Sequence, residues 1–212
     1  NEVASMSYSD FKEYVTENKI SISANGVLYR NDKAGLIPAI LSKWFDERVE
    51  YRKLAKKYGN DGNTERYEYF DRRQLIQKIM LNSLYGVLGL SVFRFYDIDN
   101  AEATTLTGQS LIKFSRTITN HFYNEQLGTD EDYVIYIDTD SIFASALPLV
   151  KHRYPNENVN SKPMMTKRIL SIASELQGYL NNSYDYFAEK FCNIKEHKFE
   201  IKQEVIGISG LF

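Results

Sequence analysis

The chain has 212 residues, enough for one large domain or two small ones; with 43 % hydrophobic and 25 % charged residues it has the composition of a soluble globular protein. A formal net charge of −2 excludes an overall basic nucleic-acid coat, and the single cysteine, Cys192, excludes an intramolecular disulfide and fits a reducing compartment. The opening NEVASMSYSD has no basic-then-apolar leader pattern, and no apolar run reaches the length of about 18 residues that a membrane span needs, so a soluble chain is expected.

Residues 8–18 read as a short helix. ISISANGVLYRND reads as a hairpin turning at Asn25-Gly26, with Val27, Leu28 and Tyr29 on the return strand. Beyond Pro38, which suits a first helical turn, Ile40, Leu41, Trp44, Val49, Tyr51, Leu54 and Ala55 recur at helical spacing. The cluster YGNDGN breaks that pattern, and a second helix is expected from Thr64 to Leu88, giving an antiparallel helical hairpin. SVFRFYDIDN looks extended, and 101–127 returns to a helix ending near Gly128. YVIYIDTDSIFASA, residues 133–146, reads as a buried hairpin with an acidic tip. A loop over 151–163, a helix over 164–191 and a strand-like alternation up to Ile206 complete the order. The fold class expected from this order is α+β, with a helical hairpin projecting from the body.

Two features carry chemistry. The first is Asp138-Thr139-Asp140-Ser141. Asp and Ser favour turns, so an ordinary turn is the simple reading. Yet no Gly stands there, and two carboxylates two residues apart repel unless a cation lies near. Hard oxygen donors suit magnesium, calcium or manganese, so Asp138 and Asp140 are candidate metal ligands. The second is the helical hairpin. Ten basic and seven acidic residues lie between Lys43 and Lys78. Arg48, Arg52 and Lys56 stand four apart, as a solvated face or as a row of cations for a polyphosphate. Lys78, Asn82, Tyr85 and Gly89 share a second stripe, where a core helix would be apolar. Gly86, inside the helix, costs about 1 kcal/mol relative to Ala and suggests close approach by a helix, a backbone or a base.

KIMLNSLYGVLG (78–89) resembles the K-x-x-x-N-S-x-Y-G motif of family B DNA polymerases, and YIDTDSIF (136–143) resembles their Y-x-D-T-D-S motif. SANGVLYRNDKAGLIPAIL, FDERVEYRK and FRFYD resemble the same stretch of T4-like bacteriophage polymerases. The resemblance implies a partial polymerase palm, an antiparallel sheet with helices, over 1–35 and 89–212, truncated before the thumb. Residues 36–88 would form the fingers. It implies that Asp140 and Asp138 serve two-metal magnesium catalysis, with Asp140 the main ligand. Lys78, Asn82 and Arg48 would meet the incoming dNTP, with Lys78 counted among the catalytic groups. Arg52 would join them where T4-like enzymes carry Lys. Tyr85 and Gly86 would line the nascent base pair, and Glu204 would lie near the site. Primer-template DNA and dNTP are the implied partners, and a phage origin would place the protein in the host cytoplasm.

The family's second palm aspartate, in D-x-x-S-L-Y-P, has no counterpart: Glu2, Asp10, Glu13, Glu17 and Asp32 stand in other contexts. A fragment is therefore expected. It would need the remaining palm, thumb and exonuclease segments as partners, and would be inactive by itself. A non-catalytic piece of a degenerate or split polymerase, holding nucleic acid or a partner, and a different two-metal enzyme such as a nuclease are the alternatives.

Overall fold

Helix α2 (Leu36–Asn60) and helix α3 (Thr64–Leu88) exist because each repeats its inward residues every three or four positions. On α2 the shielded positions include Ile37, Leu41, Trp44, Arg48, Tyr51, Ala55 and Tyr58; on α3 they include Phe70, Gln74, Gln77, Leu81, Leu84 and Leu88. Two such stripes bury one seam. Tyr58 stacks on Phe70 at 5.6 Å between ring centroids, and Tyr51 approaches the same ring at 6.2 Å. Gly59 admits Tyr67, whose ring would lie 3.2 Å from a Cβ at that position. Gly62, at φ 71°, turns the chain, and the Asn63 side chain caps α3 by accepting from the Arg66 N–H. Residues 5–157 and 161–207 are described by this structure, a computed structural model. The chain divides into two units: Tyr29–Ala103, which contains the helical pair, and the chain up to Leu28 joined with the chain from Thr104.

The second unit is built on helix α4 (Ile98–Leu127), most of which belongs to it, helix α5 (Leu147–Arg153) and helix α6 (Lys162–Phe191). Phe122, Tyr123, Tyr133, Leu149, Val150 and Ile172 form its core. Burial pushes the Tyr123 phenol up to about 12. Ser115 on α4 bonds the Tyr184 hydroxyl of α6 at 2.8 Å, which satisfies both polar groups in an apolar contact. Helix α1 (Tyr8–Glu17) and strand β1 (Ile20–Ile22) are fastened to the end of α6. The Asn193 amide donates to the Val15 and Ile20 carbonyls, and the Ile22 N–H donates to the Cys192 carbonyl. β1 pairs with β2 (Leu28–Arg30) around Gly26, at φ 83°, although the five-residue loop 23–27 keeps Val27 off the return strand. Strands β3 (Val134–Asp138) and β4 (Ser141–Ala144) make an antiparallel hairpin with an irregularity between Val134 and Tyr136.

The expected α+β architecture is present, with four local differences. Residues 91–97 are not extended: successive turns, Phe93 N–H to Leu90 and Tyr96 N–H to Phe93, lead into α4, where the Asp97 carboxylate accepts from the Asn100 N–H. The β3–β4 hairpin is not buried, since Ile135 is 63 % exposed and Tyr136 and Phe143 are also exposed. Residues 151–153 belong to α5 rather than to a loop; of the expected loop, 158–160 lie outside the described residues. Residues 196–206 alternate in burial only as far as Lys202 and join no ladder. There the side chains of α6 stand in for a neighbouring strand. Asn181 both accepts from the Ile201 N–H (2.9 Å) and donates to its carbonyl (3.0 Å), and Gln177 accepts from the Gln203 N–H (2.8 Å). Four helical residues rise about 6 Å and two extended residues span about 6.6 Å, so amides four apart on α6 match groups two apart on the segment.

Candidate nucleotide and metal site

The acidic turn lies at the tip of the β3–β4 hairpin. Asp138 and Ser141 are register partners, so Thr139 and Asp140 form a two-residue loop. Thr139 sits at φ 46°, at the first loop position, where tight hairpins reserve left-handed backbone for Gly. A β-branched residue there stores on the order of 1–3 kcal/mol of strain, the kind of outlier that gathers at functional sites. The strain is held by local bonds: Thr139 Oγ1 donates to Asp138 Oδ1 at 3.0 Å, and Ser141 Oγ donates to the Asp138 carbonyl at 3.2 Å. Asp140 is exposed and makes no hydrogen bond or ion pair among the described residues. Both carboxylates therefore face water on a fixed turn. Their donor chemistry fits a hard divalent ion, but they supply only part of a shell of about six oxygens. Among the described residues no group of three or more His, Cys, Asp or Glu gathers to complete it. Glu204 is exposed on the extended segment, and no hydrogen bond or ion pair joins it to the turn.

The start of β3 is held by a separate acid. Asp132 accepts from Arg116 and from Asn120 of α4 and also from the Val134 N–H, while the Tyr133 N–H donates to Asn120. The Arg116 guanidinium, followed by Asn120, lowers the Asp132 carboxyl to about 2.

On the helical pair half of the ten cations are already engaged. Arg66 donates to the Tyr58 hydroxyl, Arg72 pairs with Glu68, Arg73 lies over the Tyr69 and Tyr51 rings, and Lys57 lies over Tyr58. A shallow groove on α3 lined by Glu65, Glu68, Tyr69 and Arg72 is thus self-compensated. Arg48, Arg52 and Lys78 differ, for none makes a hydrogen bond or ion pair among the described residues. Lys53 and Lys56 share that freedom, at exposed positions of α2. Arg48 does not share an outward face with Arg52 and Lys56. It sits half-buried at a seam position, and its guanidinium is held below the ordinary arginine range by burial and by the Arg52 charge.

The Gln77 amide donates to Glu47 across the seam. Arg48 follows Glu47 and Lys78 follows Gln77, and because the helices run antiparallel the two cations stand about 3 Å apart along the axis, on either side of that link. Asn82 and Tyr85 continue one and two turns along α3, and Arg52 lies one turn along α2 in the opposite direction. The row from Arg52 to Tyr85 spans about 20 Å. Lys78, Asn82, Tyr85 and Gly86 are all exposed. A Cβ at Gly86 would meet nothing within 4 Å, so packing within the chain does not require the glycine. Spacing alone did not reveal the Glu47–Gln77 link; the signal was a pair of polar residues at apolar seam positions.

These two pieces recur in known proteins. The sequence model of DNA polymerase family B matches residues 3–151. The DNA-directed DNA polymerase of Enterobacteria phage T4 is 27% identical over 92% of this chain and 27% of its own length, and that of Escherichia phage RB69 is 29% identical over 59% of this chain and 19% of its own. The chain thus spans about a fifth to a quarter of the curated relatives it matches. The family B DNA polymerase of the hyperthermophilic archaeon Pyrobaculum calidifontis aligns with 64% of this chain and 18% of its own, at 30% identity and a TM-score of 0.46. With the two motifs on an acidic hairpin tip and on an exposed, glycine-bearing helix face, and a family match over most of its length, this chain belongs to DNA polymerase family B.

Proposed function

We propose that the chain comprises the fingers and part of the palm of a DNA-directed DNA polymerase that extends a primer 3′-hydroxyl with dNTPs. The observation that carries this reading is the set of uncompensated cations, Arg48, Arg52 and Lys78, on a hairpin whose other arginines are neutralised or stacked. The three cations span about 9 Å along the pair, a length that a triphosphate bridges, and Arg grips phosphate oxygens with a planar fork. Asn82 adds an amide to the same row. Tyr85 and Gly86 present a ring and a bare backbone to the nascent base pair, and base choice is left to pairing and pocket shape. Asp140, with Asp138 beside it, holds magnesium. The ions, when bound, supply the Lewis acid that lowers the barrier to attack at the α-phosphorus. The rest of the ligand shell comes from palm segments outside this chain, which join the thumb and exonuclease segments as its partners, together with primer-template DNA.

The test is incorporation of a labelled dNTP on a primed template with magnesium. The chain alone is expected to give no extension. Extension that disappears in Asp140→Ala would show that the chain completes its own metal site and is no fragment. Retention of primed DNA with no response to dNTP and magnesium would favour a non-catalytic binding piece.

A further inference from the structure

We infer that Gln77, together with Glu47, is a positioning residue for Arg48. The inference rests on the proposal that Arg48 grips a nucleoside triphosphate, and it names what holds that guanidinium.

The register of the seam sets the geometry. Glu47 meets Gln77, Arg73 lies over Tyr51 and Arg66 reaches Tyr58, so each turn up α2 is one turn down α3 and Arg48 stands within about 1.5 Å of the level of Gln77. The Glu47 carboxylate accepts and does not donate, so it fixes which end of the Gln77 amide faces it: the Nε2 end. Gln77 Oε1 is left as a buried acceptor with no partner. At the same level Arg48 Nε is a buried donor with no partner. A seam rarely leaves such groups unmet, and here one is the complement of the other.

The Gln77 carbonyl therefore takes the Arg48 Nε–H through one bridging water. A guanidinium pinned by Nε turns its two terminal nitrogens outward as a fork for phosphate oxygens. Gln77 has a second effect. By holding Glu47, which also lies 4.0 Å from Lys43, it keeps the nearest acid from neutralising Arg48. Burial of Arg48 beside Arg52 without an acid is the matching electrostatic state, a cation poised for an incoming anion.

The experiment is a calorimetric titration of magnesium dNTP into the chain on primed template, with Arg48→Met, Gln77→Met, the double variant and Glu47→Gln. Gln77→Met keeps the volume and removes both bonds, and it is expected to weaken binding roughly tenfold. The double variant should bind like Arg48→Met alone, because Gln77 acts through Arg48. Glu47→Gln can donate as well as accept, so it no longer fixes which end of the Gln77 amide faces it, and it should weaken binding part of the way toward Gln77→Met. A merely structural Gln77 would weaken binding additively with Arg48→Met, and that result overturns the inference, as does Gln77→Met binding like wild type while Arg48→Met does not. Wild-type strength in Arg48→Met, or no binding by the unaltered chain, would instead overturn the triphosphate reading beneath it. Gln77→Leu carries the same test should the Met variant fail to fold.

Discussion

Gly86 is the residue at which stability and function pull apart. An exposed glycine near the end of a long helix loses about 1 kcal/mol against alanine, and no neighbour in the chain needs the space. Gly86→Ala should therefore raise the thermal midpoint while weakening binding of primed template, because a Cβ would stand where a base pair approaches. Thermal melting and a DNA-binding titration on the same preparation check both directions; a variant that is stabilised and binds normally removes Gly86 from the site. At this scale the sequence was informative about residue identity and poor about conformation. Asp138, Asp140, Lys78 and Asn82 stood out as candidates because their types and spacing are unusual for a turn and for a helix stripe. The left-handed Thr139 was not, since turn statistics assign that backbone to Gly or Asn. Nor was the half-burial of Arg48: a four-residue repeat drifts about 40° per step, so Arg48, Arg52 and Lys56 only nominally share a face.

Among the elements, helices were read well and extended segments poorly, for a physical reason. A helix satisfies its backbone within itself, so the period of Phe70, Gln74, Gln77, Leu81 and Leu84 is enough to place α3. A strand needs a partner, and alternation does not say which. Residues 196–206 alternate as far as Lys202, yet Asn181 and Gln177 are the partners. Asp132 is a comparable device at the start of β3, where it joins α4 to the strand bearing the acidic turn. Its carboxyl is lowered from 3.8 to about 2 in the folded chain, so its contribution is complete above the unfolded value and is lost as pH falls through the folded one. Asp132→Asn should destabilise the fold near pH 7 by less than about 1 kcal/mol for so exposed a group, and lower the thermal midpoint accordingly. The gap between variant and wild type should close between about pH 4 and pH 2. Melting curves across that range check it; a gap constant down to pH 2 would show that the ionised carboxylate is not what holds the strand.

For the molecule as a whole, the acidic turn and the cation row belong to different units of the chain, and the proposed chemistry requires both at one triphosphate. The sequence implied this through motif order and resemblance, not through any local pattern, because no spacing rule links residue 140 to residues 48 and 78. The most direct measurement uses Trp44, the chain's single tryptophan, one turn before Arg48 on the same seam. With primed template present, magnesium dNTP should quench its fluorescence. Lys78→Met should abolish the response, and Asp140→Asn should remove its dependence on magnesium. Quenching that is lost in Lys78→Met but keeps its full magnesium dependence in Asp140→Asn would show that the two units do not share one site, contradicting the polymerase reading of this chain.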